Sequence, residues 1–185
     1  MDSIETERLL LRPWRADDID ALAALLAVPA VSWYPFRRGL TREESERYLD
    51  RQMRHWETHG FGMWAAELLG AGDLIGYLGL AVPVWLPEVL PAVEVGWRLH
   101  PTCWGRGLAT EGGRASLRHG FEVLDLDRII SIFEPENVAS GRVMVRLGMH
   151  EWRTTNDPDH GVPVAIRELT RDQWRVHADP PVAAL

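Results

Sequence analysis

The stretch "AVEVGWRLHPTCWGRGLATEGGRASLRHGFEVL", residues 92–124, decides the fold. Val93, Val95, Trp97 and Leu99 alternate with Glu94, Gly96 and Arg98, which is strand spacing, and Pro101 cannot continue a ladder because it lacks an N–H. Ala109, Gly113, Leu117, Phe121 and Leu124 then recur at helical spacing. Between strand and helix stand two glycines one residue apart, Gly105 and Gly107. Such a turn can curl consecutive amides around an oxygen-rich anion, and the helix behind it adds its positive end. A turn that merely tolerates glycine, with no ligand, fits the spacing equally well. Two phosphate motifs are excluded. A P-loop needs Lys and Ser or Thr after its last glycine, where this chain has Leu108 and Ala109. A dinucleotide fingerprint needs a third glycine where Thr110 stands.

Working outward, "RLLLRP" reads as a short strand and "DDIDALAALLA" as a helix on Ile19, Leu22 and Leu26. "TREESERYLDRQMRHWETHG" opens with Thr41 and Glu44 in capping-box spacing and closes at Gly60. "GMWAAELL" and "LIGYLGLA" form a hairpin across "GAGD", and the proline-bearing "PVWLPEVLP" is a loop. "RIISIF" is a strand, "NVASGRVMVRLG" a helix with an Asn N-cap and a Gly C-cap. "MHEWRTT" and "VPVAIREL" are an antiparallel pair, and "TRDQW" a final turn. The order β-α-α-β-β-β-α-β-α-β-β implies an α/β protein of α+β type: one mixed, mostly antiparallel sheet of about seven strands flanked by helices. Residues 1–178 would form one domain and 179–185 a loose tail.

The 185 residues, 46% hydrophobic and 25% charged, suit one soluble domain. No apolar run approaches the ~20 residues of a membrane helix, so no membrane partner is expected. "MDSIETERLLLRP" does not read as a secretory signal. A net charge of −7 is the wrong sign for coating nucleic acid. The single cysteine, Cys103, agrees with a reducing, cytoplasmic setting. No His, Cys and carboxylate cluster has metal spacing.

From Glu94 to Met149 the chain resembles the GNAT superfamily of acyl-CoA N-acyltransferases, in particular the RimJ/RimL-like branch of ribosomal-protein N-terminal acetyltransferases. The carrying segments are "EVGWRLHPTCWGRGLATEG" and "NVASGRVMVRLGM", and "IETERLLLRPWRADDIDAL" is similar to that branch's start, so the likeness spans roughly residues 3–176. The resemblance implies acetyl-CoA as co-substrate and no metal. It places the pyrophosphate on Trp104, Gly105, Arg106, Gly107, Leu108 and Ala109, with Thr110 behind them; Trp104 stands where the family usually has Gln or Arg. It sets the pantetheine arm along Trp97, Arg98 and Leu99, with the Leu99 amide aimed at the thioester carbonyl. Asn137 would touch coenzyme A and Ser140 would protonate the departing thiolate, since the family's usual tyrosine position holds Met144, which has no proton to give.

The general base is open: Glu94 is the candidate, although alternation puts it on the face opposite Trp97 and Leu99. His100 is weaker, Glu111 reads as a complement to the helix dipole, and Cys103 reads as structural. The nine tryptophans mostly suit a core; Trp33, Tyr34 and Trp85, in expected loops, could line an acceptor cleft. The implied activity is acetyl transfer to a primary amine, on a protein N-terminus or a small molecule. A non-catalytic acyl-CoA-binding or sensor module is the alternative. The last strands could pair with a second copy as a homodimer.

Overall fold

The computed structural model describes residues 3–178, so the expected tail at 179–185 lies outside the described residues. The chain divides into two compact units, Met1–Ala81 with Gly96–Ser116, and Val82–Val95 with Leu117–Leu185.

In the first unit, strands β1 (Ile4–Glu5), β2 (Leu9–Arg12), β3 (Met63–Leu68) and β4 (Leu74–Ala81) follow one another as antiparallel neighbours. The C-terminal half of β5 (Val93–Leu99) lies next to β4. The β3–β4 hairpin turns through Gly70 and Gly72, both at positive φ, as the "GAGD" signal requires. Helices α1 (Ile19–Ala27), α2 (Pro29–Phe36) and α3 (Arg42–His59) come between β2 and β3. The α3 ends are those expected: Thr41 and Glu44 make both bonds of a capping box, and Gly60 closes the helix in the left-handed conformation. Leu9, Leu11, Leu22, Leu26, Trp64, Leu78, Leu99 and Leu108 share one buried cluster.

In the second unit, the first half of β5 pairs with β6 (Arg128–Phe133), and β8 (Pro163–Thr170) lies between β6 and β7 (His150–Asn156). Of these three pairs, β5 with β6 is the parallel one. That ladder covers Val93 with Ile129 and Glu94 with Ile130; one residue on, the Val95 carbonyl accepts from the Ser131 hydroxyl at 2.8 Å. A side chain there takes the place of a backbone rung. Helices α5 (Val138–Arg146) and α6 (Arg171–Ala178) belong to this unit, whereas α4 (Leu108–Arg118, prolonged by a π-turn over His119–Val123) starts in the first.

The mixed, mostly antiparallel α/β architecture is the expected one. Eight strands stand where about seven were expected, the added one being the two-residue β1, too short for any period. The helix α2 replaces an expected loop, and α6 extends an expected turn. Among the described residues, no single helix is long and apolar enough to cross a membrane.

Candidate functional site

The end of β5 is built by a close approach that only glycine permits. Gly76 on β4 sits against the backbone of Arg98 and Leu99 with φ near +154°, and a Cβ there would lie 2.8 Å from the Leu99 Cα. The His100 N–H donates to the Ile75 carbonyl at 2.8 Å, toward β4. Because successive amides along a strand point to opposite edges, the Leu99 N–H points to the edge away from β4. The Leu99 side chain is buried in the core and Trp97 packs against that core. These two residues therefore present backbone, not side chain, at that edge.

Past β5, residues Pro101–Cys103 make one 3₁₀ turn, with the His100 ring accepting from the Thr102 amide at 3.4 Å and meeting its hydroxyl at 2.8 Å. That turn occupies the His100 Nδ1 as a cap. Cys103 is buried, in keeping with a structural role.

Gly105 and Gly107 both adopt the left-handed region, φ 70° and 80°, which a side chain would resist. The first helical bond of the turn runs from the Glu111 N–H to the Gly107 carbonyl at 3.0 Å. The six amides from Gly105 through Thr110 precede that bond, and none has an acceptor among the described residues. Arg106, between the glycines, is exposed, while Leu108 is buried and anchors the helix. A run of donors that is exposed at Gly105–Gly107 and closed by a helix N-terminus is chemically an anion cradle.

Trp104 departs from the expectation that it takes part in that cradle. Its backbone N–H is spent on the Pro101 carbonyl at 3.1 Å, and its indole Nε1 donates to the Leu99 carbonyl at 2.7 Å. With both donors engaged, Trp104 braces the end of β5, and the free amides begin at Gly105. Arg98 differs too. Its Nη2 donates to the Tyr34 carbonyl in α2 at 2.6 Å and its guanidinium lies 5.8 Å from the Tyr77 ring centre. Only its backbone remains for a pantetheine arm. Of the expected cleft aromatics, Trp33 is 44% exposed and carries Arg37 over its ring at 5.6 Å.

Glu111 does more than complement a dipole. Its carboxylate takes the Thr6 hydroxyl at 2.6 Å, the Arg8 amide at 2.8 Å and the Arg8 Nε at 2.7 Å. Burial alone would raise the Glu111 carboxyl; these donors outweigh it and hold the group low. Sequence reading missed Arg8, whose only signal was a charge at the head of "RLLLRP".

Within the second unit, Glu94 projects from β5 and is partly buried. Desolvation pushes its carboxyl up to about 7, against the opposing pull of a hydrogen bond with Trp85. A carboxylate poised there can take a proton from an amine near neutral pH. Trp85 thus faces Glu94. Asn137 caps α5, its Oδ1 accepting from the Ser140 amide at 3.2 Å. Ser140 is partly buried, and its hydroxyl has no hydrogen-bond partner among the described residues. Met144, one turn on, is buried. Among the described residues no group of three or more His, Cys, Asp or Glu could hold a metal.

A glycine turn of free amides that opens a helix just past the end of a strand is a site for an anionic group. Residues 8–150 match the acetyltransferase (GNAT) domain family, and the chain belongs to it. It is an acetyl-CoA-dependent N-acetyltransferase by that membership. It is 43% identical over 146 residues to the uncharacterised N-acetyltransferase YnaD of Bacillus subtilis (strain 168), covering 79% of this chain and 81% of that one. The crystal structure of an acetyltransferase from Agrobacterium tumefaciens str. C58 superposes with a TM-score of 0.77 at 26% identity, over 91% of this chain and 94% of that one. RimL, a ribosomal L7/L12 alpha-N-protein acetyltransferase solved with coenzyme A, shares the fold with a TM-score of 0.74 at 17% identity, over 93% and 99% of the two chains.

Proposed function

We propose that this protein transfers the acetyl group of acetyl-CoA directly to a primary amine, with Gly105–Thr110 holding the pyrophosphate. The run of six unpaired amides opening α4 carries this reading. The pantetheine arm would lie along the free edge of Trp97–Leu99, and Asn137 would offer its side-chain nitrogen to the coenzyme while its oxygen caps α5. The amine lone pair attacks the thioester carbonyl carbon, and the Leu99 N–H stabilises the oxyanion. Glu94, or a water it polarises, takes the ammonium proton. The C–S bond then breaks and Ser140 passes a proton to the thiolate, giving free coenzyme A; water reprotonates the serine, and Glu94 returns its proton to solvent. No covalent enzyme intermediate is needed.

The acceptor is a protein N-terminus or an amine-bearing small molecule. RimL acts on a ribosomal protein's α-amine, which supports the first; Trp33 and Trp85 suit either. We place the enzyme in the cytoplasm on the strength of its lone, buried thiol. Its domain would span residues 1–178, and the outermost strand β7 would be the dimer edge if two copies pair. Thermal shift and calorimetry with acetyl-CoA test the cofactor assignment, and absence of both stabilisation and binding heat at millimolar ligand refutes it. Release of free thiol on screening amines tests the reaction and names the acceptor. The buried Met144 in the family's tyrosine place favours one other reading, an acyl-CoA sensor without turnover. Binding without thiol release from any amine would establish the sensor.

A further inference from the structure

Arg8 touches the glycine turn from behind. Its Nη1 donates to the Arg106 carbonyl at 2.9 Å, while Nε and Nη2 grip the Glu111 carboxylate at 2.7 and 2.6 Å. A Cβ placed on Gly107 would lie 3.6 Å from the Arg8 Nη2, so the turn rests on the guanidinium. Thr6 and the Arg8 amide fill the other carboxylate oxygen. One side chain thus ties the β1–β2 corner both to the turn and to the first turn of α4.

We propose that Arg8 is a positioning residue for the acyl donor: by fixing the Arg106 carbonyl, it aims the Gly107 N–H at the pyrophosphate. This rests on the reading that Gly105–Thr110 holds that group. The physical step is the planarity of the peptide bond. In a trans peptide the C=O and N–H point in opposite directions, so a carbonyl pinned toward Arg8 sends the Gly107 N–H to the opposite side. With glycine on one side of Arg106 and glycine as the next residue, nothing local to the chain sets this peptide's orientation. A flipped peptide would present a carbonyl oxygen to the phosphates and repel them. Arg8 also neutralises Glu111, whose negative charge in the first turn of α4 would otherwise oppose an anion.

The test compares two donors with the same thioester and arm: acetyl-CoA, titrated by calorimetry, and S-acetyl-pantetheine, which lacks the pyrophosphate and the nucleotide beyond it, titrated by NMR. The readout is the ratio of their dissociation constants in wild type, R8A and R8K. We expect the preference for acetyl-CoA to fall about tenfold in R8A, the worth of one charge-assisted hydrogen bond. R8K keeps the ion pair with Glu111 but not the fork, and its ratio should lie nearer R8A than wild type. Should R8A fail to fold, R8K carries the test alone. A ratio equal to wild type in the folded variants means Arg8 only supports the fold, and overturns the proposal. A wild type that shows no preference between the two donors removes the pyrophosphate reading itself, and is told apart because it appears before any substitution.

Discussion

Glu94 shows how much a single residue's environment decides. Strand alternation placed it on the face opposite Trp97 and Leu99, which told against it as the base. What alternation cannot convey is burial beside Trp85, which carries the carboxyl up to about 7. We expect kcat/KM to rise with pH through about 7, and E94Q to lose about a hundredfold in kcat together with that limb. W85F removes a donor that favours the charged form, so its limb should move to higher pH. The stability consequence has a definite sign. A carboxyl whose folded pKa is raised binds more protons folded than unfolded, so stability falls as pH climbs from the ordinary 4.5 through about 7. E94Q should therefore melt above wild type at pH 8, and its advantage should shrink toward pH 5. An E94Q melting below wild type at pH 8 would show that the carboxylate is satisfied where it stands. The glycines were legible because φ near +70° suits almost no other residue. Trp104 was not, because its bond to Leu99 closes over a turn whose path sequence does not give.

Among the elements, the α4 helix holds the cradle at a fixed height over β4, and Gly112 sets that height. A Cβ on Gly112 would press on Leu78, 2.6 Å from Cδ1, and Leu78 is fully buried with no room to swing. G112V should cost about 1–3 kcal/mol in urea unfolding and raise the KM for acetyl-CoA, since α4 must lift away from the strand. Unchanged stability would mean that the helix rides over β4 with slack. Elements with periodic patterns and chemical ends were readable, α3 most of all, where Thr41, Glu44 and Gly60 each do what their residue types allow. The α2 helix was hidden for a local reason. "PAVSWYPF" carries an internal proline and β-branched Val31, and its backbone leaves helical geometry at Tyr34. One tie on α2 is the Arg98 bond to the Tyr34 carbonyl, a contact between residues 64 apart.

At the scale of the whole molecule, hairpin spacing gave the antiparallel character but not the strand order. That β8 inserts between β6 and β7 depends on pairings such as Ile129 with Leu169 and Ile132 with Ile166, which no local signal reports. A second long-range fact concerns stability. Arg12 is buried at the end of β2 and forks onto Asp18 at 2.8 and 2.6 Å, while its Nε reaches Glu67 on β3 at 2.6 Å. This triad joins β2, the start of α1 and the β3–β4 hairpin. Burial by itself would raise the Asp18 carboxyl; the Arg12 fork and the Arg15 amide outweigh it and keep the group below its ordinary 3.8. Removing one partner leaves a buried cation half-compensated, so D18N should cost about 3 kcal/mol at pH 7, near the low end for such losses because Glu67 remains. A depressed carboxyl stabilises above its unfolded value and loses that contribution as pH falls through its folded value. Wild type should therefore lose its advantage over D18N as pH drops below about 3.8, whereas at neutral pH the gap is full. Urea titrations of both proteins at pH 7 and pH 3 decide the matter. A gap that stays constant across that range would trace the loss to packing around the substituted amide rather than to charge, and a gap near zero at pH 7 would remove the triad from the stability of the fold.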